Sequence, residues 1–110
     1  MTTTEQHSTD AADLIAEAFD AGEQMPSHER LVELDEQLRA LIERLIVVVQ
    51  HRINRSPHHT PGWYAMVNAV ERAEDALRFQ LGTAPLACTL HVAELARKVQ
   101  ELRQAGGTAS

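Results

Sequence analysis

The sequence of 110 residues is poor in cysteine and in aromatic side chains. Because Cys88 is the single cysteine, an intramolecular disulfide is excluded, and a reducing compartment is expected. One Trp, one Tyr and two Phe leave the core to aliphatic residues, while hydrophobic residues still make up 44% of the chain. A chain of this length and composition predicts one folded domain that needs no metal or disulfide.

Long apolar runs and a recognisable export signal are also missing. The longest apolar run is LIVVV at 45–49, whereas a membrane-spanning helix needs about 20 apolar residues. The start of the chain, MTTTEQHSTD, has neither the basic beginning nor the apolar stretch of a signal peptide. We therefore expect a cytoplasmic protein without a membrane partner.

Positive charge is scarce in the first third of the chain. Residues 1–36 contain ten acids and one base, whereas residues 37–110 contain six acids and nine bases, which gives a net charge of −6. A negative chain without a cluster of Arg or Lys on one helix is not expected to bind nucleic acid.

Apolar residues recur with the spacing of amphipathic helices in four segments, separated by Gly, Pro and capping residues. Four such helices with mostly short connections predict an all-α, antiparallel, up-down-up-down four-helix bundle. The bundle is expected over residues 8–105, between a disordered leader at 1–7 and a disordered tail at 106–110.

Helix boundaries follow from the capping residues. Ser27 is the expected N-cap of the second helix, and Thr60 followed by Pro61 is expected to open the third. Gly22 is expected to end the first helix and Gly82 the third. The fourth helix is expected over about residues 85–105.

The apolar faces predict which side chains are buried. The first helix is expected to bury a stripe that includes Ala18 and Phe19, and the second a broad stripe that includes Val48. In the fourth helix the stripe consists of Cys88, Val92, Leu95, Val99 and Leu102.

The second helix resembles a known family. Its segment LDEQLRALIERLI at 34–46 is similar to a pattern in small actinobacterial all-helical proteins of unknown function labelled "natural product biosynthesis protein". The matching residues are Leu34, Glu36, Gln37, Leu38, Arg39, Ile42, Leu45 and Ile46. The resemblance covers about residues 8–104 and departs from the family pattern in the loop RINRSPHHTPGWY. It implies a helical bundle and a link to natural-product biosynthesis, and it assigns no catalytic residue.

Motifs for catalysis and metal binding are missing. A di-iron bundle requires Glu-x-x-His on two helices, and this spacing does not occur among the six histidines. A nucleophile elbow and a phosphate-binding glycine loop are missing too. We therefore expect no catalytic residue, no metal and no cofactor.

A pocket between helices is expected near Trp63, Met66 and Glu74. Glu74 falls on the apolar arc of the third helix, where a buried carboxylate could act as a general acid or base. The alternative is an ion pair with Arg78, four residues further along the helix.

A basic elbow surrounds the long loop between the second and third helices. Arg52, Arg55, His58 and His59 could bind an anion there. Alternatively, these cations offset the dipole at the end of the second helix.

Four apolar residues lie off the main stripes of their helices: Val47, Phe79, Leu86 and Leu90. If they form one patch, they mark an interface with a partner. Alternatively, the first helix covers Leu86 and Leu90. The sequence thus predicts a non-catalytic protein-interaction or regulatory module, as a homodimer or with an unidentified protein. The alternative is a small-molecule-binding accessory protein of natural-product biosynthesis.

Overall fold

The computed structural model describes residues 2–107, with side chains from 11 to 106. In this part of the chain the regular structure is entirely helical, as predicted. The helices are α1 (Thr2–Gln24), α2 (His28–Arg55), α3 (Pro61–Leu77) and α4 (Pro85–Leu102), and α4 continues into a π-helical turn, Arg103–Gly107.

The four helices form an up-down-up-down bundle with α2 and α4 as its central pair. These two helices run in the same direction, since His91 near the start of α4 bonds Asp35 near the start of α2, and Gly106 lies against Arg52 near the end of α2. Each of α1 and α3 packs against both central helices, and within the described residues α1 and α3 do not touch. The predicted fold class is confirmed.

The interior is aliphatic, as the composition requires. The five predicted core residues of α4 are fully buried: Cys88, Val92, Leu95, Val99 and Leu102. Phe19 and Val48 are exposed, so the prediction that they belong to the core was wrong. Because α1 packs chiefly on α4 rather than on α2, the edge of α2 that carries Val48 stays uncovered.

Two predicted N-caps are confirmed. The Ser27 hydroxyl oxygen accepts a hydrogen bond from the backbone N–H of Arg30 at 3.1 Å. The Thr60 hydroxyl oxygen accepts one from the N–H of Trp63 at 3.2 Å, with Pro61 in the first position of α3. Each of these caps satisfies a donor that the helix itself leaves unpaired.

Both predicted glycine ends were wrong. Gly22 lies inside α1, which continues to Gln24 before Met25 adopts a left-handed backbone with φ of 50°. In contrast, α3 ends at Leu77, well before Gly82. The cause of this early end is a side chain from α2.

Parts of both predicted disordered segments lie outside the described residues. In the leader at 1–7 these are residue 1 and the side chains of the other residues, and in the tail at 106–110 they are the last residues. Disorder in these two segments stays a prediction. Within the described part of the chain, no helix combines the length and hydropathy that crossing a bilayer requires.

Candidate functional site

A charged network lies inside the aliphatic bundle, where α2, α3 and α4 meet. One oxygen of Asp35, Oδ1, accepts a hydrogen bond from Nε of Arg39 at 3.0 Å and another from Nε2 of His91 at 2.9 Å. The side chains of Asp35, Arg39 and His91 are 12%, 20% and 15% exposed, respectively. A carboxylate this deeply buried needs such partners, because an unpaired charge would be costly in an apolar interior.

The geometry fixes the His91 ring. Since a carboxylate can only accept hydrogen bonds, the proton between Asp35 and His91 belongs to Nε2 of the imidazole. Nη2 of Arg39 lies 3.3 Å from the same nitrogen, which already donates to Asp35. The other ring nitrogen, Nδ1, has no partner among the described residues.

The far side of the Arg39 guanidinium explains where α3 ends. Nη1 donates to the backbone carbonyl of Leu77 at 2.7 Å, and Nη2 donates to the carbonyl of Phe79. The last carbonyls of a helix lack partners within the helix, so a guanidinium from a neighbouring helix can take the place of a glycine cap. Arg39 thereby ties the connection between α3 and α4 to α2.

A cleft of about 230 Å³ opens between α3 and α4 next to this network. His91 lines it, together with apolar side chains of Ala76, Phe79 and Leu95. Ala76 and Leu95 also belong to the buried core, so these two parts of the lining are fixed by core packing. The cleft combines an apolar surface with one oriented imidazole.

The charged side chains that line the cleft are paired with one another or with close neighbours. The pairs are Arg72 with Glu101 at 3.2 Å, Asp75 with Arg78 at 3.1 Å, and Lys98 with Glu94 at 3.0 Å. The hydrogen bond from Lys98 lowers the pKa of the Glu94 carboxyl, so this acid stays ionised as half of an ion pair. A charged ligand would therefore have to displace an existing partner.

One exposed apolar side chain lines the cleft, and two more lie towards it on α4. Phe79 lines it and is 66% exposed, while Leu86 and Leu90 on α4 are 64% and 63% exposed. Residues four apart are neighbours on a helix surface, so Leu86, Leu90 and Glu94 form a row that leads to the cleft. The alternative in which α1 covers Leu86 and Leu90 is wrong.

The sequence matches the model of one protein family, described as "Family of unknown function (DUF6415)", over residues 9–109. The chain belongs to this family. Neither a curated protein nor a solved structure gives a significant match. The DUF6415 model thus names no activity, and the function has to be inferred from the geometry.

The fourth predicted interface residue of this DUF6415 chain lies elsewhere. Val47 is 52% exposed on α2. It is twelve residues beyond Asp35, which corresponds to about 18 Å along the helix axis. Val47 is therefore separate from the surface around Phe79, Leu86 and Leu90.

The predicted anion-binding residues are exposed at the other end of α3. Arg52 lies against Gly106, where a Cβ atom would be 2.7 Å from Nε of Arg52. The rings of His58 and His59 pack against Trp63, with centroids 5.5 and 5.0 Å from its ring. Arg55 is exposed in the last turn of α2. Anion binding at this elbow stays a prediction.

The predicted pocket residues lie in different surroundings. Trp63 is half-buried in the aromatic cluster, Met66 is buried in the core, and Glu74 is exposed. The expectation of a buried Glu74 was wrong, and so was its pairing, because Arg78 binds Asp75 instead. A pocket at Trp63, Met66 and Glu74 stays a prediction.

The buried network of this DUF6415 chain was not predicted from the sequence, where Arg39 stood out only as part of the family resemblance. One signal was present, because Asp35 falls between the buried Ile42 and Ile46 on the apolar arc of α2, with Arg39 four residues later. Its pairing with His91 spans 56 residues and has no local signature. In the described part of the chain, no three His, Cys, Asp or Glu side chains cluster as they would to hold a metal ion.

Proposed function

We propose that this DUF6415 protein is a non-catalytic, cytoplasmic interaction module that binds a helical segment of another protein on the α3–α4 face. We use this name for the surface of Phe79, Leu86 and Leu90 together with the cleft beside them. The proposal is carried by one observation: Phe79, the most exposed large apolar side chain of the described residues, lines the cleft, and the next two, Leu86 and Leu90, lie on the row of α4 that leads to Glu94 at the same cleft. Exposed apolar patches of this kind mark binding sites in water-soluble proteins.

The size of the cleft favours a single side chain as its occupant. Sites for small molecules usually measure about 300–1,000 Å³, whereas this cleft measures about 230 Å³. A groove between two helices suits a partner helix that inserts one apolar side chain as an anchor. Leu86 and Leu90 would then contact the next turns of the partner helix.

Charge favours a basic partner over a second copy of the chain. The net charge is −6, so two copies repel each other as they approach. A basic partner is attracted instead, chiefly by the acidic first third of the chain, since residues 37–110, which include the α3–α4 face, contain more bases than acids. A homodimer through the same face is the competing outcome.

A small-molecule-binding accessory protein of actinobacterial natural-product biosynthesis is the second candidate. It is supported by the resemblance of the segment at 34–46 and by the oriented His91 ring, which offers a small ligand one polar contact beside an apolar surface. Screening of biosynthetic intermediates by thermal shift distinguishes it. A bound ligand at about 100 times its Kd stabilises a protein by about 2.7 kcal/mol.

Site-specific photocrosslinking in the native cells tests the interaction. A benzoylphenylalanine in place of Leu90 reports on the α3–α4 face, and the same residue in place of Val47 is the matched control on α2. We expect one protein crosslinked at position 90, lost with Phe79→Ala, and none at position 47. The identified protein, once purified, should bind the chain at least about tenfold more weakly after Phe79→Ala, because the variant lacks the ring that lines the cleft around the partner's anchor.

Three outcomes contradict the proposal. A crosslinked species with twice the mass of the chain indicates a homodimer on this face. Equal crosslinking at positions 90 and 47 shows that the α3–α4 face has no special role. A crosslink that persists in the Phe79→Ala variant shows that the cleft is not used.

A further inference from the structure

We infer that the α3–α4 cleft selects an aromatic ring that carries a hydrogen-bond donor, the chemistry of tyrosine and tryptophan side chains, through Nδ1 of His91. The inference rests on the proposed function and specifies the anchor of the partner. Three properties of the site lead to it: a fixed imidazole, an open acceptor atom and an apolar lining.

The imidazole is fixed because its other nitrogen is already used. Nε2 of His91 donates to Asp35 at 2.9 Å, and Asp35 is itself held by Arg39 at 3.0 Å. Rotating the ring would break the bond to a buried carboxylate, which is costly. His91 therefore offers one nitrogen, in one orientation, to anything that enters the cleft.

That nitrogen is an acceptor within reach of a ligand. Nδ1 of His91 has no partner among the described residues. In this part of the chain, the side-chain atom that is both fully buried and without a partner is Nε1 of Trp63, so Nδ1 is not such an atom. Nδ1 is therefore not fully buried, and we place it in the cleft because His91 lines that surface. When the ring is uncharged and its proton is on Nε2, Nδ1 carries a bare lone pair that can accept a hydrogen bond.

The residues that line the cleft favour an aromatic ring as the group that bonds to Nδ1. Phe79 can meet a ring edge to face, and Ala76 and Leu95 supply aliphatic surface. An aliphatic occupant would displace water from Nδ1 and leave the acceptor without a partner, which reduces its affinity. A ring with an O–H or N–H group replaces the lost water bond, and selectivity follows from this difference.

Small probes can measure the selectivity on the full chain. We would follow the backbone amide signals of Phe79 and Leu95 by NMR during titration with 4-methylphenol, which mimics tyrosine, and with toluene, which lacks the hydroxyl. A parallel pair, 3-methylindole and naphthalene, mimics tryptophan with and without its donor. One neutral hydrogen bond predicts about three- to tenfold tighter binding of each donor-bearing probe.

Two variants of His91 separate the acceptor from the structural role of the ring. His91→Gln keeps a donor near the position of Nε2 for Asp35 but has no acceptor at the position of Nδ1. His91→Asn keeps a polar amide near the position of Nδ1 but cannot reach Asp35. We expect His91→Gln to retain the affinity for toluene and lose the preference for 4-methylphenol, whereas a purely structural role would weaken both probes equally.

The outcomes of the two experiments are distinguishable. Three results would overturn the proposed selectivity. They are equal affinities of the two probes in a pair, absence of binding in the cleft, and a preference for the donor-bearing probe that persists in His91→Gln. The interaction face would still stand in that case, because crosslinking at position 90 requires only apolar contact. Loss of that crosslink with an intact preference for 4-methylphenol would overturn the interaction module instead.

Discussion

The two connections at opposite ends of α3 are held in different ways. Residues 56–60, between α2 and α3, are fixed by bonds within the loop and to its nearest neighbours. Residues 78–84, between α3 and α4, end in a local bond from Sγ of Cys88 to the carbonyl of Gly82. Their start, however, is held by Arg39, which lies 38 and 40 residues before the carbonyls of Leu77 and Phe79 that it binds. The first connection is determined locally, whereas the second depends on the packed bundle.

The local connection uses short side chains. The Ser56 hydroxyl donates to the carbonyl of Arg52 at 2.6 Å, and the Thr60 hydroxyl donates to the carbonyl of Pro57 at 3.0 Å. Thr60 also caps α3 through the N–H of Trp63. Hydroxyl-bearing residues make such bonds over a few residues of sequence, wherever the loop lies.

The long-range connection coincides with the proposed binding face. Phe79 lies in it, Leu86 follows it, and its backbone position depends on the network of Asp35, Arg39 and His91. From this difference between the two connections, we infer that the α3–α4 face can form only after α2, α3 and α4 have packed. Binding and tertiary structure are therefore coupled at this end of the bundle, and three substitutions test the contrast in order of expected effect.

The largest effect is expected for Arg39→Ala. It removes one partner of the buried Asp35 and leaves two carbonyls at the end of α3 without their donor. Breaking a buried pair costs about 3–5 kcal/mol; because Arg39 is partly exposed, we expect about 3 kcal/mol less free energy of unfolding. Urea denaturation followed by circular dichroism measures this change.

Arg44→Ala is the matched control for this prediction. Arg44 lies on the same helix, is exposed, and has no ion-pair partner among the described residues. Its removal should change the free energy of unfolding by at most about 0.5 kcal/mol. Equal effects of Arg39→Ala and Arg44→Ala would show that the buried network does not hold the α3–α4 connection.

An intermediate effect is expected for Thr60→Ala at the local connection. Loss of an N-cap hydroxyl typically costs about 1 kcal/mol, because one N–H of the first turn of α3 loses its acceptor. Thr83→Ala, in the exposed part of the other connection, is the control and should be nearly neutral. Differential scanning calorimetry of both variants measures the change in stability. If Thr60→Ala lowered the stability as much as Arg39→Ala does, the contrast between the two connections would not hold.

The smallest effect is expected for Glu17→Gln, at the surface pair that joins α1 to α2. Arg30 donates to both oxygens of Glu17 at 2.5 Å, and these hydrogen bonds lower the pKa of the Glu17 carboxyl. Both side chains are more than one third exposed, so solvent screening limits the pair to about 0.5 kcal/mol. This measurement gives the contribution of an exposed ion pair to stability, with which the contribution of the buried network can be compared.

The sign of the pH dependence follows from the lowered pKa. The ionised Glu17 stabilises the fold above the pKa of glutamate in the unfolded chain, about 4.3, and the contribution is lost as pH falls through the lower pKa of the folded state. The stability difference between wild type and Glu17→Gln should therefore shrink in acid. Glu23→Gln on the same helix is the control, and a difference that grows in acid would contradict the assignment.

Features set by neighbouring residues could be predicted from the sequence. The caps at Ser27 and Thr60 and the apolar stripe of α4 are of this kind, because short-range hydrogen bonds and helical periodicity determine them. The end of α3 could not be predicted, because Arg39 reaches it from another helix. The candidate site was found in part: Phe79, Leu86 and Leu90 stood out as apolar residues off the stripe, whereas His91 acquires its role only through Asp35.

Amide hydrogen exchange in wild type and in Arg39→Ala tests most directly whether the buried network holds the α3–α4 connection. The amides of Arg78 and Phe79, which bond to Asp75 and Ala76, report on that connection, and those of Ser56 and Trp63 report on the local one. Local opening governs exchange at such sites. We predict much faster exchange at Arg78 and Phe79 in the variant, with little change at Ser56 and Trp63. Unchanged exchange at Arg78 and Phe79, or an equal increase at both connections, would contradict the account.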